Sequence, residues 1–175
     1  MDPFWDQSTE PTLRQGDLLP ECLVPVPTPD FDSMANAGET IEIPCDVYDL
    51  IIVTHSCDLE NEPNPQFVVL CPIYPVVKFE SINEDFKKGG KWNLVRQGRV
   101  MGLHLLASPT EPANNRKALV VDFRETYSLP YGYLARRISE LEWHWRLRSP
   151  YLEHFSQAFA RFFMRVGLPS SIPKF

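Results

Sequence analysis

Asp49-Leu50-Ile51-Ile52-Val53-Thr54 and Gln66-Phe67-Val68-Val69-Leu70-Cys71-Pro72-Ile73 dominate the middle of the chain. Both runs are rich in β-branched residues and bounded by turn residues. Short continuous apolar runs of this kind are the pattern of central strands buried on both faces. The segment between them, His55 to Pro65, is polar, carries two prolines and reads as a loop.

Working towards the N-terminus, Leu18 to Val26 reads as a strand that Pro20, Pro25 and Pro27 confine to a sheet edge. Residues 27–40 read as a loop, and Ile41-Glu42-Ile43 as a short strand by alternation. Residues 1–15 are polar and read as a loosely packed arm. Towards the C-terminus, residues 78–100 read as an irregular excursion. Strands are expected again at Gly102 to Leu106 and Lys117 to Phe123, with the turn Ser108 to Asn115 between them.

Leu141 to Arg148 alternates, with Leu141, Trp143, Trp145 and Leu147 expected inside and Glu142, His144, Arg146 and Arg148 outside. A strand over 140–148 follows from that pattern. The chain then shows its best-specified helix, over 150–166. Ser149 suits an N-cap and Pro150 the first helical position. Leu152, Phe155, Phe159, Phe162 and Val166 form an apolar stripe, and Gly167 with Pro169 is a stop signal. His154, Gln157, Arg161 and Arg165 fall mostly on the other side and read as a solvated face. The expected fold is mainly β (α+β), one domain over 16–175, with a long C-terminal amphipathic helix packed on it.

Composition narrows the function classes. The chain has 175 residues, of which 43% are hydrophobic and 23% charged, enough for one core. Its formal net charge of -6 excludes a protein coated in positive charge for nucleic acid. No signal peptide or membrane-spanning run is legible, so a cytoplasmic protein with no membrane partner is expected. Cys22, Cys45, Cys57 and Cys71 lie far apart and are expected as reduced thiols. His55 and Cys57 share strand-face spacing, but no zinc-type spacing supplies two further ligands, so neither metal nor cofactor is expected.

The order of segments resembles the PemK/MazF family of plasmid-maintenance toxins. The residues that carry the resemblance are Gly16-Asp17 opening a strand, Leu50 to Thr54, the strand ending Cys71-Pro72-Ile73, and Leu119-Val120-Val121-Asp122-Phe123-Arg124-Glu125-Thr126-Tyr127. They cover about residues 15–137. The resemblance implies a small SH3-like β-barrel, a homodimer, and metal-independent cleavage of RNA. Thr54-His55-Ser56-Cys57-Asp58-Leu59 and the block from Arg148 to Pro169 resemble an uncharacterised bacterial subgroup.

The family's cleavage depends on an Arg just before the second apolar strand and a Thr after Cys-Pro-Ile. Here those positions hold Tyr48 or Asp49, and Tyr74. An Arg facing developing phosphate charge is worth several kcal/mol, and Asp in its place would repel the phosphate. The resemblance therefore implies an RNA- or partner-binding regulatory module of a toxin–antitoxin or defence system.

The alternative is a metal-independent endoribonuclease with a rearranged site. His55 would be its general base and Asp58 or Glu60 its orienting group, with Cys57 or Ser56 as nucleophile and Tyr48 and Tyr74 as neighbours. Against it stands a plain reading: Ser56 and Asp58 make a side-chain turn and Cys57 plugs the core. A third reading is a protein-interaction component using the Phe-rich helix. Lys87, Lys88, Lys91, Trp92, Arg96 and Arg99 surround Gly89-Gly90 with no acid between Asp85 and Arg99. Phosphate partners beside one stacking ring suit single-stranded RNA; an ordinary solvated loop suits the same residues. Expected partners are thus single-stranded RNA, a protein partner or antitoxin, and a second copy.

Overall fold

The computed structural model describes residues 4–29, 42–88 and 90–164. The elements in chain order are β1 (Trp5–Ser8), β2 (Asp17–Pro25), β3 (Cys45–Ile52), α1 (Ser56–Glu60), β4 (Phe67–Pro75), α2 (Val76–Ile82), α3 (Lys91–Arg96), β5 (Leu103–Leu106), β6 (Leu119–Asp122), β7 (Tyr127–Pro130), α4 (Tyr131–Ser139), β8 (His144–Leu147) and α5 (Tyr151–Phe163). Short 3₁₀ turns add Glu84–Lys87 and Asn115–Lys117. The described chain is a mixed α+β structure, mainly β. It divides into two compact units: Gln7–Ile73 with Thr126–Arg146, and Tyr74–Glu125 with Met1–Asp6 and Leu147–Phe175.

The first unit is built on an antiparallel sheet. β2 pairs with β3 (Leu18 opposite Ile51, Leu23 opposite Val47), β3 with β4 (Ile51 opposite Cys71) and β4 with β7 (Val68 opposite Leu129). β8 joins β2 through Asp17–Arg146 and Leu18–Trp145. The pairings run β8-β2-β3-β4-β7, an open path among the described residues. Leu50, Ile51, Ile52, Val68, Leu70 and Cys71 are fully enclosed, as their continuous apolar runs predict. The prolines of β2 do not confine it to an edge. Its first residues pair on both sides, because Pro20 falls after the β8 contacts, at the register shift between Leu19 and Cys22. There Glu21 has φ 51°, and its N–H donates to Asp49 Oδ1 at 3.0 Å.

Helices complete this core. Leu134 and Ile138 of α4 join Leu13, Leu19, Leu50, Ile52 and Leu70, and Leu59 of α1 is buried among them. The segment 55–65 is thus a loop that contains one helical turn and a half. Leu13 and Gln15 are buried too, so the N-terminal residues contribute to the core and are no loose arm. Gln15 Nε2 donates to the Val53 carbonyl at 2.8 Å, and its N–H to Ser56 Oγ.

The strand β8 is shorter than the expected 140–148, and the expected alternation is kept only in part: Leu147 is buried as expected, but so is His144, with Trp145 and Arg146 half-buried between them. His144 is 3% exposed and Trp143 44% exposed. The cause is Asp17, which is 0% exposed. Its Oδ1 takes Arg146 Nε at 2.6 Å and sits 3.2 Å from His144 Nε2, and its Oδ2 accepts from Arg146 Nη2 at 3.1 Å and from the Arg14 N–H at 2.8 Å. A buried carboxylate must be hydrogen-bonded, and these donors are drawn inward to satisfy it.

In the second unit β5 and β6 pair antiparallel, Leu103 opposite Asp122 through Leu106 opposite Leu119. Phe123 sits at their end, with Phe155, Phe159 and Phe162 of α5 around it at centroid distances of 5.7, 5.4 and 6.4 Å. That is the predicted apolar stripe, over Tyr151–Phe163; Val166, Arg165 and the Gly167-Leu168-Pro169 stop lie outside the described residues. The N-cap is Pro150, not Ser149, and no side chain caps the helix. The stretch 78–100 is no irregular excursion, since α2, a 3₁₀ turn and α3 occupy it. Phe79, Phe86 and Trp92 hold these short helices together, with centroids 4.8–5.8 Å apart. Glu80 accepts from Trp92 Nε1 at 2.8 Å and from both Arg116 terminal nitrogens at 2.9 Å. Residues 42 and 43 form no strand, and Ile41, the 30–40 loop and Gly89 lie outside the described residues.

Candidate functional site

α5 is amphipathic because its apolar residues recur at helical spacing, and burying that stripe on Phe123 fixes where its other side points. His154, Gln157, Ala158 and Arg161 stand at i, i+3, i+4 and i+7, so they share one face. His154, Gln157 and Arg161 are exposed, as the sequence leads one to expect. Their face also forms one wall of a cleft of about 320 Å³ within the second unit. The opposite wall is the end of α3 and the turn after it, with Arg96, Val100 and Met101; the floor is Leu103, His104 and Phe123.

Local features hold each wall. Val95 anchors α3 in the core and leaves Arg96 exposed beside it. Gly102 turns the chain into β5 with φ +87°, a left-handed conformation that glycine adopts without a Cβ penalty. A Cβ there would lie 2.8 Å from Arg124 Cγ and 3.0 Å from Phe162 Cε2. The Phe123 N–H donates to the Gly102 carbonyl at 2.7 Å, closing the turn against the floor. Arg124 is committed elsewhere: its Nε donates to Asp122 Oδ1 at 2.7 Å, and hydrogen bonding to that carboxylate raises its pKa further.

The electrostatics of the cleft divide in two. At the floor, burial and then the nearby His154 push the His104 pKa down from 6.5 to about 4, so the ring is neutral at pH 7. A neutral imidazole offers one donor and one acceptor. At the rim, Arg96 and Arg161 carry the charge. Among the described arginines of this unit, Arg116, Arg124 and Arg148 each have a carboxylate within 4.0 Å, whereas Arg96, Arg99 and Arg161 have none.

The expected basic stretch is only partly available. Lys87 pairs with Glu84 at 3.2 Å and Lys91 with Asp85 at 3.0 Å, with Lys91 Nζ also 5.2 Å from the Phe86 ring centre. Trp92 is half-buried in the Phe79–Phe86 cluster and donates to Glu80, so its ring serves packing. Lys88, Arg96 and Arg99 are exposed, and of the six residues only Arg96 lines the cleft.

The expected catalytic group does not gather. His55, Cys57 and Asp58 are exposed at the start of α1. The Cys57 thiol donates to Asp58 Oδ1 at 3.8 Å, and the His55 ring has no hydrogen-bond partner among the described residues. Cys57 therefore does not plug the core. Tyr48 lies on β3 with its ring 5.4 Å from Tyr127 and its hydroxyl 3.4 Å from Asp46. Tyr74 belongs to the second unit, is buried, and donates to Glu125 Oε2 at 3.1 Å.

All four cysteines are free thiols, Cys22 and Cys71 buried and Cys45 and Cys57 exposed. Among the described residues, no three His, Cys, Asp or Glu side chains are placed to hold a metal ion, and no helix is long and apolar enough to cross a membrane. No family model, curated protein or solved structure matches the chain.

Sequence reasoning assigned His154, Gln157 and Arg161 to a solvated face and did not single out His104. One signal was legible. From His154 onward the sequence carries His154, Gln157, Arg161 and Arg165 and no acid, in a chain whose net charge is -6.

Proposed function

We propose that this chain is an RNA-binding regulatory module, and that the cleft between α3 and α5 is its RNA-facing surface. The observation that carries this reading is the pair Arg96 and Arg161. They stand exposed at the rim of one cleft and have no acidic partner among the described residues, in an acidic protein whose other described arginines in that unit are, Arg99 apart, paired. Unpaired guanidiniums over an apolar floor match the needs of a phosphate chain with splayed bases. Lys88 and Arg99 add charge from the same segment of chain. The segment-order resemblance to PemK/MazF toxins supports the RNA target, a toxin–antitoxin or defence setting, a relation to the SH3-like barrel, a cytoplasmic location and a homodimer. The replacement of the family's Arg and Thr by Tyr48 or Asp49 and by Tyr74 supports binding over that family's cleavage.

The test is fluorescence anisotropy with a labelled single-stranded RNA of mixed sequence. The expected result is binding that weakens as salt rises and falls by about tenfold or more in Arg96→Glu or Arg161→Glu. Binding unchanged in both variants, or no binding at low salt, would refute the reading.

A further inference from the structure

We infer that the cleft holds a single unstacked nucleotide of the strand, base inward against the floor and phosphate outward between Arg96 and Arg161. This inference rests on the RNA reading above and specifies its binding unit. Three observations carry it.

The first is size. A cavity of about 320 Å³ lies at the small end of the range for ligand sites, about 300–1,000 Å³. That suits one small planar group and its linkage. Duplex grooves are read by protein elements that project into them, so a concave site of this size suits a splayed base.

The second is the order of polarity from floor to rim. The floor offers Phe123 and Leu103 with the neutral His104, while the permanent charges, Arg96 and Arg161, come from two different elements at the edge. A nucleotide has the same order: a flat, largely apolar, uncharged base bearing donors and acceptors, then a sugar, then an anion. An inorganic anion alone would leave the floor without a partner. An apolar ligand alone would leave both guanidiniums unused.

The third is what lies between. Gln157 stands one turn before Arg161 on the same face of α5, and its amide carries both donors and an acceptor. His104 contributes one of each from the facing strand. Together they present a mixed edge that can distinguish bases. Met101, exposed at the mouth, supplies an adaptable apolar flank for rings of different size. Gln157 is thus assigned to base selection and Arg161 to the phosphate.

The experiment compares four kinds of probe on the full chain by NMR of the His154 and His104 ring signals: the four nucleoside 5′-monophosphates, ribose 5-phosphate, inorganic phosphate and a short RNA duplex. Expected is saturable binding of at least one mononucleotide, about tenfold or more tighter than inorganic phosphate or ribose 5-phosphate, reflecting the base. The same mononucleotide should displace labelled single-stranded RNA. Arg161→Ala should weaken every phosphate-bearing probe and lower the salt slope of RNA binding by about one. Gln157→Ala should change the preference among the four bases and leave inorganic phosphate binding as it was. Both side chains are exposed, so neither variant threatens folding.

Equal binding of inorganic phosphate and mononucleotide would overturn the inference and leave an anion site. RNA binding that mononucleotides never displace, or that duplex matches, would overturn it while the RNA reading stands. Mononucleotide binding without any RNA binding would overturn the RNA reading, and with it the claim that the nucleotide belongs to a strand.

Discussion

Replacing Asp17 with alanine removes the acceptor around which the first unit organises its buried charge. The carboxylate is fully enclosed and holds Arg146 through Nε at 2.6 Å and Nη2 at 3.1 Å, His144 at 3.2 Å, and the Arg14 N–H at 2.8 Å. Breaking a buried pair by deleting one partner costs about 3–5 kcal/mol, because the remaining charge is left uncompensated. Here Arg146 keeps Glu10 at 2.5 Å and the Thr12 carbonyl at 3.1 Å, which places the loss near the lower end, about 3 kcal/mol. For a chain of this size that is a fall in Tm of about 6–12 °C. The assay is urea unfolding followed by tryptophan fluorescence and circular dichroism, with Asp6→Ala as the control. Asp6 pairs with Arg148 at 3.4 Å on the surface, where such pairs contribute little, so the control should change stability by less than about 1 kcal/mol. In the double variant Asp17→Ala with Arg146→Ala, the loss should fall well short of the sum of the single losses, since the two side chains act as one unit. An Asp17→Ala protein no less stable than the Asp6→Ala control, or strict additivity with Arg146→Ala, would refute the account of why His144 and Arg146 turn towards Asp17.

Three further outcomes are expected. Gly102→Ala must place a Cβ at φ +87° and within 2.8 Å of Arg124, so it should lower stability by about 1–2 kcal/mol or more, read by thermal unfolding. His104 titrates near 4 in the folded chain against 6.5 unfolded, so its contribution is complete above pH 6.5 and is lost as pH falls towards 4. That is about 2–3 kcal/mol by pH 4.5; the gap between the wild type and His104→Gln should shrink by this much between pH 7 and 4.5 in urea titrations. Finally, iodoacetamide should label Cys45 and Cys57 in the native chain and spare Cys22 and Cys71. Burial raises the Cys22 thiol to about 11, and mass spectrometry of the peptides reads the difference.

How far the sequence could be read depended on what kind of physics placed each residue. Leu50 to Val53 and Val68 to Ile73 were legible because a strand buried on both faces leaves no ambiguity of register or side. Phe155, Phe159 and Phe162 were legible because an apolar stripe at helical spacing must be covered. Around β8, alternation placed Leu147 inside correctly but put Trp143 inside and His144 outside, where the structure has the reverse. Asp17, far earlier in the chain than His144, decides that. α4 was missed although Tyr131, Leu134, Ala135 and Ile138 follow helical spacing, and α2 and α3 were missed because helices this short draw their order from the Phe79–Phe86–Trp92 cluster. The site follows the same rule. His55, Cys57 and Asp58 are neighbours in sequence and share one exposed turn without forming a working pair. The cleft gathers Arg96, His104 and Arg161 from three elements, and their convergence is set by how α5 packs on Phe123. Lys87 and Lys91 looked free because Glu84 and Asp85 precede them, and helical turns fold those acids back.

The most direct test of the central claim is a map of where RNA touches the chain. A single-stranded RNA carrying 4-thiouridine, cross-linked by light and digested, reports the contacted peptides by mass spectrometry. Cross-links on peptides spanning residues 96–104 and 154–162, reduced by Arg161→Ala, are the result expected. Cross-links confined to peptides containing Tyr48 or His55 to Asp58, with none from the cleft, would contradict it.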